Sequence, residues 1–221
     1  MDATRVRNVM VIVNGDDLHH DLLGAARVFR ELATEAGFVA TAAMGMGRFI
    51  GPMPRTAAAD VFLLYTAGGQ FGTAQQRALA SLVAGGTGLV AIHCSNVLGN
   101  LAGALDPADR PMYELLGTRF LSHGPGHHEG MFEVSIVGDH EITAGVGDFT
   151  LFDEYYDIEF ADGDVQVIAQ RADSPAPVMY TRTVGAGRVC YLALGHDMRT
   201  WGQLPFRALV RRALAWAAPV R

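Results

Sequence analysis

The sequence predicts an α/β domain built on an open parallel sheet, and three observations lead there. Continuous apolar runs rich in β-branched residues, such as Val9-Met10-Val11-Ile12-Val13, read as strands buried on both sides. In the first half these runs stop at turn-forming residues and give way to apolar positions at helix spacing. Strand–helix–strand alternation of this kind implies parallel pairing through right-handed crossovers. The 221 residues, half of them hydrophobic, suffice for a single domain over 1–221 with a full core.

The first strand ends at Asn14-Gly15-Asp16-Asp17, a turn-rich set. After His19-His20-Asp21, the residues Leu22, Leu23, Ala26, Phe29, Leu32 and Ala33 share one helical face. Arg27, Arg30, Glu31 and Glu35 lie largely outside that face, and Gly37 closes the helix. Residues 39–43 form a second strand, and the glycine- and proline-rich residues 45–55 a loop. Asp60 opens a third buried strand, Val61-Phe62-Leu63-Leu64-Tyr65, which stops at Thr66-Ala67-Gly68-Gly69. Thr73 then reads as an N-cap, with Gln76 completing a capping box, for a helix reaching about Ala84. A turn at Gly85, Gly86 and Gly88 leads into Leu89-Val90-Ala91-Ile92, which runs straight into His93-Cys94-Ser95-Asn96.

The second half has a different rhythm. Residues 100–110 read as a loop, and Pro111 sits in the first turn of a short helix through Leu116. Residues 121–130 hold three histidines among glycines and a proline. Residues 131–137 alternate as a half-buried strand; 166–170, 178–182 and 189–194 are further strands, with a hairpin turn at Gly185 and Gly187 before the last. Residues 205–218 close as an amphipathic helix, Phe206, Leu209, Val210, Ala213, Leu214 and Trp216 opposing Arg207, Arg211 and Arg212.

Composition excludes several function classes. A net charge of −6 without clustered basic residues is not a nucleic-acid surface. The pair Arg211-Arg212 reads as a solvated helix face. Two cysteines, Cys94 and Cys190, sit near the ends of apolar runs as packed thiols. That usage gives no disulfide framework and makes the cytoplasm the expected location. The run at residues 9–13 is too short for a signal segment, and nothing approaches the ~18 apolar residues of a membrane span.

In open α/β sheets, sites form beyond the carboxyl ends of the strands. There the chain brings His20-Asp21, His93-Cys94-Ser95 and His196-Asp197 to one edge. The loop at 121–130 adds His123, His127, His128 and Glu129, and a further set is Asp153-Glu154-Tyr155-Tyr156-Asp157. Titratable groups gathered at one edge point to a common cleft. Plain structural roles compete at several positions: Asp21 as a helix-start residue, His140 as a turn residue, and Tyr113, Tyr155 and Tyr156 as packing residues.

Three chemistries fit this inventory. Cys94 could act as nucleophile with His196 as base, although an elbow pattern laid on Val90-Ala91-Ile92 puts His93 at the tip; Ser95 suffers the same displacement. Histidines with Glu or Asp suit zinc or a similar divalent ion, without a tight motif such as His-Glu-x-x-His. General acid–base work by His, Glu and Tyr on a polar small molecule demands the least.

The order and spacing of several short motifs resemble the ThuA-like (trehalose-utilisation) family of the class I glutamine amidotransferase-like superfamily. They are Leu18-His19-His20-Asp21, Gly88 through Ser95, Tyr113-Glu114-Leu115-Leu116-Gly117, Phe120 with His123-Gly124-Pro125, Asp139 through Gly145, Asp153-Glu154-x-Tyr156, and Gly187-Arg188-Val189 through Leu194-Gly195-His196. Glu141 replaces the family's usual proline, Tyr180 stands where tryptophan is frequent, and the loop at 124–130 is particular to a subgroup. The resemblance implies a flavodoxin-like open, mostly parallel sheet with helices on both faces. It places His93 at the superfamily's cysteine position, and Met198 where a glutaminase needs glutamate, so glutaminase activity is not expected.

The resemblance further implies a carbohydrate-processing enzyme acting on a disaccharide-derived sugar or 3-keto-sugar. In that reading His93, His196 and Glu154 are catalytic, and His20, Asp21, Ser95, Tyr113, His123 and Tyr156 contact substrate. His20, His93, His123 and His196 are the candidate ligands of a zinc-like divalent metal. The expected partners are a small-molecule carbohydrate, a sugar oxidoreductase of the same pathway, and a second copy of the chain in a homo-oligomer. Two alternatives stay open: a non-catalytic sugar- or metal-binding regulatory module, and a Cys94-dependent hydrolase.

Overall fold

The computed structural model describes residues 6–15, 18–50, 54–67, 71–98, 104–161 and 163–219. The turn at Asp16-Asp17, the break at Gly68-Gly69, and parts of the expected loops at 45–55 and 100–110 lie outside the described residues.

Strand β1 (Asn8–Gly15) buries every side chain from residue 9 to 13, as an unbroken apolar run requires. Helix α1 (Leu22–Glu35) follows, its first turn held by the Asp21 carboxylate, which accepts the Gly24 N–H at 2.8 Å. Gly37 takes φ +85° just beyond the helix, and the chain returns as β2 (Val39–Met44). The short α2 (Pro54–Ala57) precedes β3 (Val61–Ala67), and α3 (Thr73–Ala84) leads to β4 (Gly88–Ile92). Then come α4 (Arg110–Leu116), β5 (Thr118–Ser122), β6 (Glu129–Ile136), β7 (Phe149–Glu154), β8 (Asp157–Phe160), β9 (Gln166–Arg171), β10 (Pro177–Val184) and β11 (Gly187–Leu192). The helices α5 (Met198–Trp201) and α6 (Leu204–Ala217) end the fold.

Nine strands form one sheet in the order β2-β1-β3-β4-β11-β10-β9-β6-β7. The first five are mutually parallel. From β1 the chain crosses one way to β2 and then the other way to β4, so right-handed crossovers set α1 and α3 on opposite faces. Helix α6 lies beside α1, where Arg207 pairs with Glu31 and Glu35. This is the flavodoxin-like arrangement, extended by four antiparallel strands, β10, β9, β6 and β7. Because β11 runs parallel to β4, the segments after β1, β4 and β11 share one carboxyl edge.

Two features depart from the sequence reading. The N-cap of α3 is Gly72, not Thr73, and its N–H donates to the Gln75 side chain at 2.7 Å. Thr73 and Gln76 are engaged elsewhere: the Thr73 hydroxyl donates to Ala108 O, and buried Gln76 ties Phe71, Asp109 and Met112 together. Strands β5, β7 and β8 also went unforeseen. Polar residues interrupt each of them, and β5 with β8 makes a separate two-stranded ribbon.

At Gly88 the backbone of β4 runs against its covering helix α6. A Cβ there would stand 2.3 Å from Ala217 O and 2.7 Å from Ala217 C. Gly88→Ala is therefore expected to cost about 1–3 kcal/mol through forced backbone separation. For a chain of this length that lowers Tm by roughly 2–12 °C in a thermal melt. An unchanged Tm would show that α6 is free to shift.

Candidate functional site

Strand β4 ends in a sharp turn whose first residue, His93, has φ +52°, the one non-glycine left-handed residue among those described. Holding a Cβ-bearing residue there costs on the order of 1–3 kcal/mol, so the surroundings must fix it. They do so on both sides of the residue. Tyr191 on β11 donates its hydroxyl to His93 O at 2.8 Å, and the ring Nδ1 lies 2.8 Å from Ala193 O. A carbonyl only accepts, so Nδ1 carries the hydrogen, and Nε2, bare whenever the ring is neutral, faces the cleft.

Three groups face that nitrogen. Glu154 Oε2, from the end of β7, is 3.2 Å away, His196 Nδ1 is 3.3 Å away, and the Tyr156 hydroxyl is 3.1 Å away. The other Glu154 oxygen, Oε1, reaches His196 Nδ1 at 3.4 Å. His20 closes the group, its ring centroid 5.4 Å from His93 and 4.8 Å from His196. One ligand atom from each of His20, His93, Glu154 and His196 falls within 4.8 Å of the others.

A second layer fixes His196 and Glu154. The buried Asp153 carboxylate accepts from the N–H groups of Gly195 (2.6 Å), His196 (3.2 Å) and Glu154 (2.9 Å), and from the Thr200 hydroxyl (2.9 Å). Tyr65 on β3 donates to His196 O at 2.8 Å, and Trp201 Nε1 donates to Gly195 O at 2.6 Å.

Burial works against charge on these groups, and their neighbours decide the outcome. Burial raises the Glu154 carboxyl, but the hydrogen bond and charge of His93, with His196 and His123, outweigh it and bring it down to about 2. Burial lowers His93, yet the Glu154 hydrogen bond and the Asp153 and Glu154 charges raise it overall. His196 stays below its ordinary value, through burial and the His93 charge. Burial raises Asp153, despite the His93 charge and the hydrogen bonds from Gly195, Glu154 and Thr200.

The structure thus gathers His20, His93, His196 and Glu154, with Tyr156 against them. It separates others that the sequence had grouped with them. His123 is not in the four-residue group: its Nδ1 donates to Tyr155 O at 2.9 Å and its ring packs on Phe120 and Tyr156, so Glu154 takes the ligand position expected of it. Asp21 caps α1. Ser95 is buried, its hydroxyl close to Ile92 O and Leu64 O while accepting from Thr66 N, which ties the ends of β3 and β4 together. Tyr113 donates to Phe160 O, bracing α4 against β8. Cys94 is 2% exposed, behind the tip of the turn. Sequence reasoning missed the part played by Asp153; its signal was the position immediately before Glu154.

The ThuA family, described as trehalose utilisation, matches residues 8–217. Among solved structures, a ThuA-like protein from Parabacteroides merdae is 15% identical with a TM-score of 0.75, covering 96% of this chain and 90% of that one. A second, from Bacteroides uniformis, is 16% identical with a TM-score of 0.72, covering 97% and 93%. A cytoplasmic protein from Salmonella typhimurium LT2 is 13% identical with a TM-score of 0.62, covering 95% and 99%. At these identities the likeness is one of fold. A comparison with curated proteins finds no match. Among the described residues no helix is long and apolar enough to cross a membrane. With the family pattern extending from β1 to the end of α6, the chain belongs to the ThuA family.

Proposed function

We propose that His20, His93, Glu154 and His196 hold a zinc-type divalent ion in an enzyme that processes a disaccharide-derived sugar or 3-keto-sugar by histidine–carboxylate acid–base chemistry. One observation carries the metal reading. His93 Nε2 lies 3.3 Å from His196 Nδ1 and 3.2 Å from Glu154 Oε2, the other Glu154 oxygen lies 3.4 Å from His196 Nδ1, and one ligand atom from each of these three with His20 falls within 4.8 Å of the others. A tetrahedral zinc site with bonds of about 2.0–2.1 Å has edges of about 3.3 Å. The donor set also asks for a cation. A bare imidazole nitrogen and an ionised carboxylate at such distances repel unless a proton or metal ion lies between them. The carbohydrate part of the reading draws on the family's description.

A bound zinc-type ion supplies Lewis-acid polarisation of a carbonyl or hydroxyl oxygen. The chain's residues supply the rest. Ala193 O fixes the His93 tautomer, as a carbonyl behind a metal-binding histidine does by taking its other ring hydrogen. Glu154 has two oxygens on different neighbours, so one can stay with the cluster while the other accepts a substrate proton. Asp153 positions the His196 backbone. The 221 residues include no lysine, which closes the Schiff-base route to a keto group. A Cys94 hydrolase is disfavoured because imidazole, not thiol, occupies the tip.

Elemental analysis of protein purified without chelator is expected to give about one zinc-type ion per chain, and His93→Ala to lose both the ion and turnover of a 3-keto-glycoside. Metal-free wild-type protein that stays metal-free in a zinc titration would refute the metal reading. Full turnover by His93→Ala would refute the catalytic one. Sugar-dependent thermal stabilisation without turnover of any keto-sugar would instead assign a regulatory binding module.

Asp153→Asn places an amide among groups that all donate. We expect a stability loss of about 1–3 kcal/mol, read by denaturant unfolding. Zinc affinity measured well below the Tm should fall as well, because His196 loses its backbone anchor. Unchanged zinc affinity in a destabilised protein would reduce Asp153 to a purely structural part.

A further inference from the structure

Tyr156 is 5% exposed, and its hydroxyl lies 3.1 Å from His93 Nε2. With Nδ1–H committed to Ala193 O, that nitrogen has a single lone pair. The Tyr156 hydroxyl and any cation held by His93 therefore compete for the same electrons. The tyrosine ring cannot easily move away. It stacks on His93 with centroids 4.6 Å apart and is pressed by Phe120 at 4.5 Å and His123 at 5.5 Å. Rotation about the C–O bond remains available, so the hydrogen can turn while the oxygen stays beside the cluster. A buried hydroxyl without an acceptor costs about as much as a lost hydrogen bond, so it turns toward whatever oxygen the incoming ligand brings.

We propose that Tyr156 is a ligand-gated hydrogen-bond donor: it caps His93 Nε2 while that lone pair is bare, and donates to an oxygen of the bound ligand once the lone pair is taken. The inference rests on the metal reading above. It gives the site a donor that is spent internally when empty and aimed at an oxyanion or hydroxyl when loaded. No bond is made or broken in the switch.

The test uses the full chain and two probes, zinc alone and then acetohydroxamate, a small oxyanion ligand. Both are titrated at about pH 8, above the ordinary histidine range. In the wild type, zinc saturation is expected to produce a tyrosine difference spectrum with the stoichiometry of zinc binding, and Tyr156→Phe should abolish it. On the zinc-loaded protein, Tyr156→Phe should weaken acetohydroxamate about 2- to 12-fold, the range for one lost hydrogen bond. Absence of a tyrosine signal while calorimetry shows zinc bound would overturn the switch, and equal acetohydroxamate affinities would overturn the donor role. Failure of the wild type to bind zinc at all, with Tm intact, is the separate failure of the metal reading and removes the inference with it.

Discussion

A buried carboxylate ties the two halves of this molecule together. Asp153 sits at the end of the antiparallel extension, and its four donors come from its own strand, from the turn after β11, and from α5. Removing a carboxylate from water costs several kcal/mol unless its lone pairs are met. Here they are met only if β7 and the end of β11 lie in one particular relation. The demand of a single side chain thus fixes where Glu154 and His196 stand relative to each other. His93, on the parallel half, then comes into register through Ala193 and Tyr191, which belong to the same β11 segment. The geometry of the cluster follows from satisfying the buried polar groups behind it.

That arrangement explains why the sheet is mixed. A purely parallel sheet offers its carboxyl edge only the residues just past each strand, here His20, His93 and His196. All three are imidazoles, and the carboxylates beside them are engaged elsewhere, Asp21 capping α1 and Asp197 pairing with Arg199. The antiparallel strands bring the end of β7 to the same edge, and with it a carboxylate that stays ionised. The four-residue group therefore spans residues 20 to 196 and requires both parts of the fold.

Much of this was legible in the sequence, for physical reasons that differ by residue. The parallel core was legible because strands buried on both faces must be continuously apolar, which makes β1, β3 and β4 plain. His93 at the tip followed from counting back from that apolar run, and its φ of +52° bears out the register. Glu154 was legible as a polar residue of the site edge, but not as the fourth member of the histidine group, since nothing local says where β7 ends in space. His123 misled for the converse reason: a histidine beside glycine and serine looks free, yet the carbonyl just past β7 holds it. Ser95, Asp21 and Tyr113 have polar side chains at the right edge, and each is used by backbone groups. Spacing along the chain does not reveal whether a hydroxyl or carboxylate is already engaged.

The elbow itself argues against a nucleophilic use of this site. A strained left-handed turn at a strand end serves a nucleophile by lifting it clear of its own backbone. Imidazole gains something else from the same turn. Its Nδ1 is delivered to the Ala193 carbonyl just past the neighbouring strand, and its Nε2 to the centre of the cleft. Strain that would expose a thiol instead fixes a tautomer. Cys94, one residue on, is turned back into the core, so this turn cannot present both groups at once. His at the tip puts a ring nitrogen where a thiol would otherwise stand, and the carboxylate and imidazoles around it are the partners that the proposed metal site draws on.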